Sequence, residues 1–78
     1  DVYKRQLSAR DRSLVTVAAL IGSGILDSSL EYHIMHAKEN GITAEEMAEA
    51  ITHIAFYAGW PKAWAAFNYA KKIYTEVK

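Results

Sequence analysis

The sequence has no cysteine, a single proline and four glycines in 78 residues. Without cysteine there is no disulfide to staple a small fold and no thiolate to cage a structural metal. Three histidines alone do not make a zinc site the first expectation, and no metal is expected. Nine basic side chains are balanced by nine acidic ones, so the formal net charge is zero. A neutral chain has no long-range field to draw it to nucleic acid or to an anionic membrane, and neither is an expected partner. Long apolar runs are missing too. The longest uncharged one, Leu14 to Leu26, is interrupted by Thr16, Gly22, Ser23 and Gly24 and is too short to cross a bilayer. It also lacks the cationic start and cleavage-site order of a secretory signal. The expected location is the cytoplasm.

Length sets a further limit. At 8.7 kDa the chain makes one small domain. A domain of this size hides only about 60% of the surface that its unfolded form exposes, and is marginal alone. The opening Asp1-Val2-Tyr3-Lys4-Arg5-Gln6 has neither helical nor strand patterning. Residues 1–6 are read as a tail or remnant ahead of a single helical domain at 7–78. The start at Asp1 without methionine suits a fragment of a longer protein.

What the chain does have is 51% apolar residues, thirteen of them alanine. Their spacing and punctuation predict four helices. Ser8-Ala9-Arg10-Asp11 has capping-box form, and Leu14, Val17, Ala18 and Ile21 follow at helical spacing until Gly22-Ser23-Gly24. A second helix starts at Asp27 or Ser28, carries Leu30, Ile34 and Ala37 on one stripe, and ends at Asn40 before Gly41. Thr43-Ala44-Glu45-Glu46 is a second capping box, and Met47, Ile51, Ile54 and Ala58 form the third stripe up to Gly59. The fourth helix is expected to begin with Pro61 at its first position, with Ala63, Phe67, Ala70 and Tyr74 facing inward. No segment alternates as a strand does. The expected fold is all-α, a compact antiparallel bundle of about four helices.

The third and fourth helices are rich in alanine, which lets helix axes approach closely. Phe56, Trp60, Trp64 and Phe67 must then be covered by something else. At roughly 25 cal/mol per Å² of apolar area, leaving four such rings wet forgoes several kcal/mol. One small bundle offers them little core. A subunit interface is the expected cover, and the expected partner is a second copy of the chain.

No phosphate loop, dinucleotide fingerprint, zinc-protease motif or nucleophile elbow is present. The residues able to carry chemistry are His33, His36 and His53, with Tyr57, Arg10, Arg12 and neighbouring charges. His33 is spaced with Leu26, Leu30 and Ala37, which turns its ring toward packed surface. His53 and Tyr57 lie one turn apart beside the third stripe. Imidazole titrates near neutrality and suits general acid–base work. Against this, a lone histidine on an apolar helix face is more often a hydrogen-bonded packing residue. His33 and His36, three apart, lack a third ligand at a convincing spacing, and His36 fits a solvated face with Glu39 and Asn40. An arginine near a helix start can grip a carboxylate bidentately, but first-turn charges are also ordinary. The run Phe56, Tyr57, Trp60, Trp64 is more often core or interface than a ligand cage.

Four stretches resemble the carboxymuconolactone decarboxylase family. They are Leu7 to Leu20, His33 to Gly41, Gly41-Ile42-Thr43-Ala44-Glu45-Glu46, and Ile51 to Ala63 with its Tyr57-Ala58-Gly59-Trp60-Pro61 core. The resemblance covers the chain from Leu7 to about Tyr74. It implies an alkylhydroperoxidase D-like helical fold, assembled as trimers or hexamers. It also implies cofactor-free decarboxylation of γ-carboxymuconolactone to the enol-lactone, or related lyase chemistry on a small lactone or oxo acid. Other members are thiol peroxidases with a Cys-x-x-Cys pair before a histidine. Matched on His33, those cysteine positions hold Leu26 and Ser29, neither of which can form a thiolate or a disulfide, so that activity is excluded. Many members have glutamate after the first-helix arginine, where this chain has Ser13 following Arg12.

Two functions follow as expectations. In the first, His33 is the catalytic acid–base residue with His53 beside it, while Arg12, Tyr57 and Trp60 hold the small-molecule substrate, without a cofactor. In the second, the chain is a non-catalytic oligomeric helical domain or a fragment of a longer family member, and its histidines are packing residues.

Overall fold

The first three helices each begin where a side chain takes up an orphan backbone N–H. A computed structural model describes residues 6–75, so the expected tail lies outside the described residues except for Gln6. The helices are α1 (Ala9–Ser23), α2 (Ser28–Glu39), α3 (Ala44–Ala58) and α4 (Trp60–Thr75). Ser8 Oγ accepts from the Asp11 N–H at 3.0 Å, and Asp27 Oδ1 from the Ser29 N–H at 2.9 Å. At Thr43 both halves of the capping box form, Thr43 Oγ1 with the Glu46 N–H and Glu46 Oε1 with the Thr43 N–H. Caps of this kind are worth about 1 kcal/mol each.

Two glycines set the corners. Gly24 ends α1 in the left-handed region at φ 79°, where a side chain would be strained. Gly59, at φ 102°, donates to Ala55 O and accepts from the Ala63 N–H. A single residue therefore closes α3 and opens α4. Because the Gly59 carbonyl already caps the new helix, Trp60 takes its first position and Pro61 the second, one later than the spacing predicts. The proline is still harmless, since that N–H also has no intrahelical partner.

α1 packs on α2 and α3, and α4 on α3 and α2, so the spatial order is α1, α2, α4, α3. Side-chain bonds fix the sense of the pairs. Arg10 meets Glu46 near the starts of α1 and α3, and Glu31 and Lys38 of α2 meet Lys72 and Ile73 of α4 in the same order. Ser13 early in α1 instead meets Asn40 at the end of α2. Successive helices therefore reverse direction, as the short connections predict. No strand occurs among the described residues, and no helix there is long and apolar enough to cross a membrane.

The core is aliphatic: Val17, Ile21, Leu30, Ile34, Ile42, Met47, Ile51 and Ile73, closed by Ala37, Ala55, Ala63, Ala66 and Ala70. The second stripe is as predicted. The others are rotated toward smaller residues. Val17 and Ile21 of α1 are buried with Ser13, while Leu14 and Ala18 are only half-buried. In α3 the innermost position falls to Ala55 rather than Ile54 or Ala58, and in α4 to Ala66 and Ile73 rather than Phe67 and Tyr74. The molecule is 21 Å across its thin axis, about two helix diameters, and such a slab has no depth for rings. No described aromatic residue is fully buried.

Candidate active site

The helix order leaves a groove on either side of α1. On the α2 side Arg12, Ser13 and Thr16 face His33, His36 and Asn40 across a groove of about 300 Å³. This arrangement follows from the antiparallel pairing of α1 with α2, which sets the second turn of one against the last turns of the other. The Asn40 amide nitrogen donates to Ser13 Oγ at 2.7 Å and locks that register. Thr16 spends its hydroxyl proton on the Arg12 carbonyl at 2.9 Å. His33 is half-buried, with its ring 5.0 Å from Tyr32 in edge contact, so it lines the groove rather than the core. His36 is exposed, stacks on Tyr32 with ring centroids 6.0 Å apart and has Nδ1 3.6 Å from Glu39 Oε1, on the solvated face predicted for it.

Electrostatics separate this groove from its neighbour. Among the described residues no carboxylate pairs with Arg12 and none lines the groove, which is therefore built from donors and imidazoles. On the α3 side of α1, a second groove of about 400 Å³ contains Arg10, Glu46, Glu49 and His53. There Arg10 is already paired with Glu46. The Thr43 backbone N–H, and then the Arg10 guanidinium, hold the Glu46 carboxyl below its ordinary range.

The residues singled out in the sequence are thus divided. Arg12 and His33 come together in one groove. His53 is exposed at the end of the other, with its ring 5.2 Å from that of Tyr57. Tyr57 itself is 81% exposed and reaches neither groove. Trp60 lies with Pro61 and Trp64 around an apolar concavity of about 570 Å³. Within a single chain, then, His53, Tyr57 and Trp60 do not share a pocket with His33. The sequence reading missed Asn40 and Thr16 as groove residues. Asn40 carries no periodic signal, being a helix-end residue that meets Ser13 across 27 positions.

The model of the carboxymuconolactone decarboxylase family matches residues 1–72. The chain belongs to that family. It is 37% identical over 78 residues to the 4-carboxymuconolactone decarboxylase of Acinetobacter baylyi (strain ATCC 33305 / BD413 / ADP1). The alignment takes in 99% of this chain and 58% of that protein, so the chain spans little more than half the length of its relative. In this family member the position after Arg12 holds a buried serine, 7% exposed, whose hydroxyl is bonded to Asn40, in place of the carboxylate that the resemblance implies for many members.

Proposed function

We propose that this family member is a carboxymuconolactone decarboxylase-like carboxy-lyase whose substrate site is the groove between α1 and α2. One observation carries the reading: an arginine without a carboxylate partner among the described residues and a half-buried histidine face the same small groove. A lactone with two carboxylates fits this pair in one sense only. Arg12 holds the carboxylate that stays, because neutralising the one that leaves would stabilise the ground state more than the transition state. As CO₂ departs, the carbon–carbon bond breaks and its electron pair moves into the conjugated lactone carbonyl system. His33, as imidazolium, delivers a proton to the resulting carbanionic carbon and recovers one from solvent. Substrate and one proton give the enol-lactone and CO₂, with no cofactor in the scheme.

His53, Tyr57 and Trp60 enter this scheme only through a neighbouring copy that brings them to the groove. Phe56, Trp60 and Trp64 are the surface we assign to self-association, as a trimer or hexamer. The separation of His33 from His53 within one chain favours the second reading, a non-catalytic oligomeric helical domain, though exposed His36 and His53 are not packing residues within one chain.

The test is decarboxylation of 4-carboxymuconolactone by wild type, His33→Ala and Arg12→Ala. Loss of a general acid is expected to lower kcat by about 10²- to 10⁴-fold in His33→Ala, while Arg12→Ala chiefly raises KM. Equal turnover in wild type and His33→Ala removes His33 from the mechanism. A folded wild type that releases no CO₂ leaves the non-catalytic reading in its place.

A further inference from the structure

The buried hydroxyl beside Arg12 has one hydrogen-bonding role filled and one open. Ser13 Oγ accepts from the Asn40 amide at 2.7 Å, and no described residue accepts the Ser13 proton. Thr16 and Thr52, on α1 and α3, each return their proton to the carbonyl four residues back, whereas Ser13 does not. Asn40 is itself fixed, since its backbone N–H bonds to His36 O and Ala37 O at the end of α2. Ser13 as a residue is 7% exposed, and it lines the groove that also contains Arg12 and His33. A buried donor left without an acceptor is unfavourable, and a ligand oxygen can relieve it.

We infer that Ser13, oriented by Asn40, is a second donor to the oxyanion that Arg12 binds, so the groove selects a carboxylate held at two points. This rests on reading the groove as the substrate site. Binding is measured without turnover, using muconolactone, a lactone that keeps one carboxylate and lacks the departing one. Its titration into the isotope-labelled chain is followed by the nuclear magnetic resonance signals of the His33 ring and the neighbouring backbone amides.

Wild type is expected to bind saturably. Ser13→Ala, which removes both the proton and the Asn40 contact, is expected to weaken Kd by about tenfold or more. Asn40→Ala breaks the same helix–helix contact and frees the hydroxyl to rotate but keeps it, and is expected to weaken Kd by clearly less than Ser13→Ala does. Equal weakening in the two variants makes the pair a clamp between helices and overturns the inference. So does unchanged affinity in Ser13→Ala, or an absence of saturable binding in wild type. Failure of the decarboxylase reading looks different: the probe binds with the expected ranking of variants, yet no CO₂ is released from the carboxylated substrate.

Discussion

Arg10 and Glu46 join the first turns of α1 and α3, and the same Glu46 carboxylate caps its own helix through the Thr43 N–H. One side chain therefore closes a capping box and ties together two helices that are distant in sequence. Both partners are about two-fifths exposed, so the ion pair is screened by solvent. Its dependence on pH is a sharper signature than its size. The Glu46 carboxyl sits below its ordinary value of 4.5 in the folded chain, with the backbone N–H of Thr43 as the largest cause. A depressed carboxyl stabilises the fold above the unfolded value, and that contribution is lost as pH falls through the folded one. Glu46→Gln keeps an acceptor for the cap but not the charge. Urea midpoints of the two proteins are expected to differ near neutrality and to converge on the acid side of pH 4.5. A difference independent of pH would exclude the charge as its origin.

The alanines of α4 support a second expectation. Ala63 and Ala66 are wholly buried, so their methyl groups set how closely the helices pack. Ala66→Leu places three extra carbons where there is no room, and is expected to destabilise by about 1–3 kcal/mol. The same change at exposed Ala48 of α3 is expected to stay within about 0.5 kcal/mol. Thermal or urea unfolding of the two variants checks this. Similar losses at both sites would mean that Ala66 does not control the packing.

These alanines also show what was legible in the sequence. Helix starts at Ser8, Asp27 and Thr43 were readable because a cap is a local bond between residues two or three apart. The corners at Gly24 and Gly59 were readable because few other residues tolerate the backbone there. Inward faces were harder. Size and hydrophobicity favour Phe67 and Tyr74, but a two-layer slab buries Ala66 and Ile73 and leaves those two rings half-buried at the edge of the core. The groove was less legible still. Arg12 and His33 stood among the candidates by residue type and helix position, but nothing local paired them, and the bond between Ser13 and Asn40 spans 27 positions with no repeating pattern to announce it.

The outward rings lead to the last expectation. Phe56 is 73% exposed, Trp64 65% and Trp60 48%, although a folded chain gains by covering such groups. Phe56 and Trp60 meet edge to face at 5.7 Å, and Trp64 and Phe67 at 6.3 Å, an interrupted ridge of two ring pairs with the concavity of Trp60, Pro61 and Trp64 between them. At roughly 25 cal/mol per Å², docking this ridge against a second copy recovers several kcal/mol of apolar burial. The chain is therefore expected to sediment as an oligomer. Trp64→Glu places a charge in the middle of the ridge without touching the aliphatic core. It is expected to shift the protein to a monomer that keeps its helical circular dichroism, with a lower midpoint of unfolding because mutual stabilisation is lost. A wild type that sediments as a monomer at all accessible concentrations would sink the self-association reading. An oligomer that survives Trp64→Glu intact would move its interface away from α4.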